Sequence, residues 1–181
     1  APGGAGSDAP AVLRAVEGDF LHLSPSAADA LGLPRFDAAF DRGALVAVLP
    51  EDREAYVATL AGLMAPEGRV LLVTARPARE GMDGLSRQCT PPLAASVVEH
   101  DGFAGPPYEV READVRELFS PAFAVRPLQR EDRMGAEPHW RERGCTRFEE
   151  AAYLLRAIEQ GSGLESNSGA RDPPRCFVMR L

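Results

Sequence analysis

The sequence contains no lysine; its 20 basic residues are all arginine. That absence removes a lysine nucleophile or a Schiff base from the chemistry open to the chain, and it reads as the mark of a GC-rich gene. Cysteine is scarce as well. Cys89, Cys145 and Cys176 stand far apart with no C-x-x-C pair, so the spacing indicates neither a disulfide framework nor a zinc site, and no metal is expected. No apolar run approaches the roughly 20 residues needed to cross a bilayer as a helix. The opening residues APGGAGSDAP carry neither a basic n-region nor an apolar h-region, so they do not read as a secretory signal. A reducing, cytoplasmic setting is the expectation. Positive charge is in deficit, with a net charge of -7 and a pI of about 5.0. A nucleic-acid or anionic-membrane partner would call for clustered cations, and none is evident. His22, His100 and His139 are scattered, and no catalytic triad can be assembled from them.

What is present is enough for one domain. A chain of 181 residues with 45% hydrophobic content can bury a real core. Residues 1–15 look like a disordered leader, and the Gly, Ser and Pro of GSGLESNSGARDPP (161 to 174) place a disordered tail over 159–181. A third such segment, 75–96, reads as a flexible insertion, being longer than the connections usual inside a compact domain. Residues 16–158, apart from that insertion, carry the fold.

Within them strand and helix patterns alternate. VEGDFL (16 to 21) reads as a short strand, and FDAAFD (36 to 41) alternates apolar and polar residues as a half-buried strand does. Pro50 begins a helix: Glu51, Asp52 and Glu54 complement its dipole, and Tyr56, Leu60, Leu63 and Met64 share a face. Pro66 and Gly68 stop it. RVLLVT (69 to 74) has the apolar, β-branched character of a strand buried on both faces. EVREADVRELFS (109 to 120) is helical, FAVRPLQRE (123 to 131) is strand-like, and TRFEEAAYLLRAIE (146 to 159) fits either. The alternation predicts an α/β domain, a mostly parallel sheet with helices on both faces.

In such sheets a ligand lies beyond the carboxyl ends of the strands. Asp19 and Arg42 both fall at that edge, each after a predicted strand. A charge pair in a loop is often merely solvated, so spacing alone leaves Asp41 and Arg42 open between a site and a local ion pair.

The stretch FDAAFDRGALVAVLPEDREAYVATLAGLM, with RVLLVT after it, resembles the central segment of the thiopurine S-methyltransferase family. The shared pattern, FD-x-x-x-DRGALVA-x-x-P-x-x-R-x-x-Y, is met by Phe36, Asp37, Asp41 to Ala47, Pro50, Arg53 and Tyr56. VEHDGFAGPPYEV (98 to 110) and WRERGCTRFEEAAYLL (140 to 155) are similar to later elements of the same family. The resemblance implies a Rossmann-like class I methyltransferase fold with a reversed last strand, and S-adenosylmethionine as cofactor. It implies that Asp19 and Phe20 hold the adenine, the carboxylate accepting from its amino group and the ring offering an apolar face. Arg42 takes the place of an arginine near cofactor and substrate. Its guanidinium fork suits a carboxylate or an incoming thiolate, which makes it the catalytic, cofactor-binding and substrate-binding candidate. Asp41 either orients Arg42 or caps and neutralises it. Pro106, Pro107 and Tyr108 resemble a substrate-side loop, with Pro107 and Tyr108 the substrate-binding candidates.

The implied reaction is methyl transfer to a small-molecule acceptor: a thiopurine, another aromatic thiol, or a selenium or tellurium species. The family's glycine turn should precede Asp19, and a strand-helix-strand unit needs about 30 residues, whereas 15 residues precede VEGDFL. The chain therefore reads as the carboxyl-terminal portion of such a fold, incomplete at its amino-terminal side. A second expectation follows from that reading: a non-catalytic fragment that binds or self-associates through an exposed sheet edge.

Overall fold

A computed structural model of the chain describes residues 15–78, 106–142, 144–158 and 175–179. Its frame is a five-stranded sheet in the order β3-β4-β2-β1-β5, formed by β1 (Phe36–Arg42), β2 (Met64–Ala78), β3 (Phe123–Asp132), β4 (Arg147–Ala157) and β5 (Cys176–Met179). The helices are α1 (Pro25–Ala30), α2 (Ala44–Ala47), α3 (Arg53–Leu63), α4 (Glu112–Phe119) and α5 (His139–Glu142). One-turn 3-10 segments lie at Phe20–His22 and Pro50–Asp52.

The β1–α3–β2 unit is the part that positions Arg42. Strand β1 runs parallel to β2, with Asp41 opposite Leu72 and Arg42 opposite Val73. The helix between two parallel neighbours must run back along the sheet, so α3 starts at the edge where β1 ends. The acidic residues Glu51, Asp52 and Glu54 lie at that start, where the helix dipole favours negative charge. Tyr56, Leu60 and Leu63 bury one stripe of α3 against Ala39, Val70 and Leu72 of the sheet, in a core that Val115 and Phe119 of α4 also enter. The opposite sheet face is covered at one end by α5, whose Trp140 stacks on Phe148 with ring centroids 4.6 Å apart and planes inclined by 11°.

Two of the four strand pairings are parallel, β1 with β2 and β1 with β5; β2 with β4 and β3 with β4 are antiparallel. β3 therefore runs in the same direction as β1, β2 and β5, so four of the five described strands are mutually parallel and the sheet is the mostly parallel one that the sequence predicts, with one reversed strand. The reversed strand is β4, which enters between β2 and β3. That segment, legible as either helix or strand, is strand because Ala151, Tyr153 and Leu155 alternate into the core with Glu149.

Three expectations change. VEGDFL is not a strand: Asp19 accepts from Leu21 N at 2.9 Å and caps a 3-10 turn, a local side-chain bond that competes with strand formation. Strand β2 continues through residues 75–78 of the expected insertion, because β4 pairs with it as far as Ala78. Part of the expected disordered tail is β5, which binds the open edge of β1: Asp37 N donates to Arg175 O and Arg175 N to Asp37 Oδ2, both at 2.9 Å. An unpaired edge is a template for any strand within reach, and the chain's own end supplies one. The leader at 1–14 and the stretches 79–105 and 159–174 lie outside the described residues.

Candidate functional site

The last two residues of β1, Asp41 and Arg42, are charged and point to opposite faces. Asp41 is fully buried. Its Oδ1 accepts from Ala44 N at 3.0 Å, both its oxygens lie 3.4 Å from Leu45 N, and its Oδ2 accepts from Tyr56 Oη at 2.7 Å. It therefore caps α2 and ties that turn to α3. Burial pushes its carboxyl above the usual carboxylate range, ahead of the opposing bonds from Tyr56, Ala44 and Leu45. Burial, and then the charge of Asp41, push the Tyr56 phenol upward, so it is a donor throughout the physiological range. Gly43, at φ 106°, makes the sharp exit from the strand in the left-handed region that favours glycine.

Arg42 faces the other way and is half-exposed, with Nη2 3.0 Å from Glu150 Oε1. Neither role expected of Asp41, orienting Arg42 or capping and neutralising it, appears among the described contacts: Asp41 serves the start of α2 and Tyr56, and Glu150 pairs with Arg42. Because β4 runs antiparallel to β2, its first residues lie at the same edge as the end of β1, and Glu150 sits opposite Ala75. Arg133 Nε approaches Glu150 Oε2 at 3.6 Å on its other side.

Asp19 is exposed, and its oxygens accept from Leu21 N and pair with His22 Nδ1 at 2.8 Å. Those contacts, the Leu21 amide first and His22 second, hold its carboxyl below the usual range. A carboxylate with about four acceptor positions still has room for an amino group. Phe20 is partly buried and lies against Tyr56, with ring centroids 5.1 Å apart and planes at 44°. Tyr108 N donates to Val46 O at 2.6 Å, which sets the Pro107–Tyr108 segment beside α2. Tyr56 thus joins Phe20 to the residue preceding Arg42, and α2 joins that turn to Tyr108. No direct contact links Asp19 with Arg42 or Arg42 with Tyr108 among the described hydrogen bonds and ion pairs.

Sequence reasoning missed three of these residues. Glu150 was hidden by the ambiguity of its segment, and the role of Tyr56 by its 15-residue separation from Asp41. Arg53 was visible only as part of the matched pattern. It is 6% exposed, and its Nε and Nη2 find no hydrogen-bond partner among the described residues. Burial holds its basicity down, against the attraction of Asp114, Glu51 and Tyr108.

The family model described as thiopurine S-methyltransferase matches residues 12–86. Curated proteins named thiopurine S-methyltransferase align over most of the chain. The protein from Nitrosospira multiformis is 30% identical over 138 residues, 76% of this chain and 51% of its own length. That from Methylococcus capsulatus is 32% identical over 142 residues, 77% of this chain and 51% of its own. That from Vibrio parahaemolyticus is 32% identical over 140 residues, with the same coverages. The chain is similar to the thiopurine S-methyltransferase family over most of its length. It spans about half the length of the curated relatives it matches. The thiopurine S-methyltransferase model covers Asp19, Phe20, Asp41, Arg42, Arg53 and Tyr56, whereas Pro107, Tyr108 and Glu150 lie beyond it. The Rossmann-like reading of the fold agrees with that similarity. Among the described residues no helix is long and apolar enough to cross a membrane.

Proposed function

We propose that the protein takes part in methyl transfer from S-adenosylmethionine to a thiol or related soft nucleophile, with Asp19 and Phe20 on the cofactor side and Arg42 beside the reacting atoms. Similarity to the thiopurine S-methyltransferase family supports the reaction class. The observation that carries the assignment to these residues is the double contact of Tyr56, with Phe20 on one side and with the Asp41–Arg42 turn on the other. The residues fit the cofactor: an exposed carboxylate with acceptor positions to spare, an aromatic face next to it, and a half-exposed guanidinium whose bond to Glu150 occupies one of five donors.

Bound there, S-adenosylmethionine would supply a sulfonium methyl group. Asp19 accepts from the adenine amino group and Phe20 packs against the ring. Arg42 lies beside the cofactor carboxylate and holds the acceptor as a thiolate, whose proton passes to solvent; the thiolate takes the methyl group and S-adenosylhomocysteine leaves. An anion beside a guanidinium is favoured over the neutral thiol, and Glu150 keeps the fork oriented. Alignment of donor and acceptor contributes most of the acceleration, so no separate general base is required. Pro107 and Tyr108 flank the acceptor.

The test is transfer of label from methyl-labelled S-adenosylmethionine to thiophenol and to 6-mercaptopurine. Labelled S-methyl product is expected with the chain, falling on the order of 100-fold in Arg42→Ala. A rate equal to that without protein overturns the proposal. A second reading, a non-catalytic fragment that self-associates, is favoured by one observation: β5 is an edge strand with a largely exposed Val178. Sedimentation showing a concentration-dependent dimer, together with no label transfer, would select it.

A further inference from the structure

Tyr56 is buried to 2% exposure. Its two ends do different things. The ring packs on Phe20 at 5.1 Å. The hydroxyl donates to Asp41 Oδ2 at 2.7 Å, and the other oxygen of that carboxylate receives Ala44 N. Asp41 is followed directly by Arg42, so every restraint on the Asp41 carboxylate restrains the point from which Arg42 leaves the strand. Tyr56 stands one turn into α3, an element held in the core by Leu60 and Leu63. It is a fixed post in contact with each half of the proposed site.

We infer that Tyr56 is a positioning residue that sets the separation between the adenine-side turn at Phe20 and the guanidinium of Arg42. The inference rests on the proposed methyl-transfer site and assigns that site a component outside its contact shell. Burial alone would ask only for an apolar ring at this place. The phenol is what couples the two turns, because it converts the position of one ring into the position of a buried carboxylate. A donor to a buried charged acceptor is among the stronger hydrogen bonds of a protein interior, so its loss frees the Asp41 turn from α3 without disturbing the ring stack.

The experiment compares wild type, Tyr56→Phe, Arg42→Ala and the Tyr56→Phe/Arg42→Ala double variant. S-adenosylhomocysteine affinity is measured by calorimetry, and amide exchange is followed at Ala44 and Leu45. Tyr56→Phe should weaken binding on the order of tenfold and accelerate exchange at Ala44 and Leu45, while the core amides of Val70 and Leu155 keep their protection. The double variant should bind no more weakly than Arg42→Ala alone, since Tyr56 acts through Arg42. Wild-type affinity in Tyr56→Phe, or additive losses in the double variant, would overturn the inference. If wild type does not bind S-adenosylhomocysteine, the proposed function fails by itself and the exchange arm decides. Faster exchange at Ala44 and Leu45 in Phe20→Leu, with Val70 unchanged, supports the coupling through Tyr56, and unchanged exchange there refutes it.

Discussion

Replacing Asp41 by alanine removes the acceptor of three donors at once. The Ala44 amide, the Leu45 amide and the Tyr56 hydroxyl all point at a carboxylate with no solvent exposure. Loss of a helix cap costs about 1 kcal/mol, and a buried hydroxyl left unpaired costs about 1–3 kcal/mol more. Against this, the variant no longer has to bury a carboxylate, a gain reflected in the upward shift of the Asp41 carboxyl by burial. We expect a net loss of about 1–3 kcal/mol, which for a chain of this size lowers Tm by roughly 2–12 °C. Urea unfolding followed by circular dichroism at pH 7 measures it. Asp41→Asn keeps one acceptor oxygen and should lose less. It also isolates the charge. With its folded-state pKa raised, Asp41 contributes stability that is fully present below the unfolded value of 3.8 and is lost as pH rises through the folded pKa. Relative to wild type, Asp41→Asn should therefore fare worst at the lowest pH and recover as pH rises through that window. An Asp41→Ala variant within about 0.5 kcal/mol of wild type would refute the capping role, and a pH-independent difference for Asp41→Asn would refute the buried charge.

Glu109 should show the opposite pH dependence. Burial raises its carboxyl, but bonds from Arg111 at 3.0 Å and Arg76 at 2.6 Å outweigh it and hold it low. Its contribution is present above the unfolded value and is lost as pH falls through the folded one, so Glu109→Gln should flatten the acid limb of a stability profile measured by urea unfolding. Arg53→Met removes a buried guanidinium with two nitrogens unpaired among the described residues and should raise stability by about 1 kcal/mol; a loss of that size in a urea titration would mean that Arg53 has acceptors in solution. Gly68→Ala would set a Cβ 2.8 Å from Ala65 O and 3.0 Å from Phe36 O, both backbone atoms. A cost of about 1–3 kcal/mol is expected from thermal unfolding, and a neutral result would show that the β1–β2 entry can spread.

The elements that sequence made legible are those whose burial pattern is one-sided over a full element. Tyr56, Leu60 and Leu63 marked α3, and the run from Val70 to Thr74 marked β2. The helix at 112–119 followed from its acidic start and from Val115 and Phe119. Where one bond decides the conformation, periodicity carried no signal: Asp19 bonding Leu21 turned an expected strand into a 3-10 turn, and the Ser24 cap on Ala27 N with Pro25 behind it, a start signal present in the sequence, makes α1. Alternation over FDAAFD places its apolar residues inward, yet Asp41 is buried and Phe40 is only partly so. The strand bulges between Phe36 and Ala38, and a distant tyrosine compensates the buried acid. Arg42 was legible because a strand end can be read locally. Glu150 and Tyr56 were not, because each reaches the site through pairing or packing that the local sequence does not encode.

The most direct test of the proposed cofactor site is calorimetric titration of the purified chain with S-adenosylhomocysteine, with Arg42→Ala beside it. The account predicts micromolar binding that Arg42→Ala weakens on the order of tenfold. A folded chain that takes up no ligand, or one whose affinity is indifferent to Arg42, would contradict it.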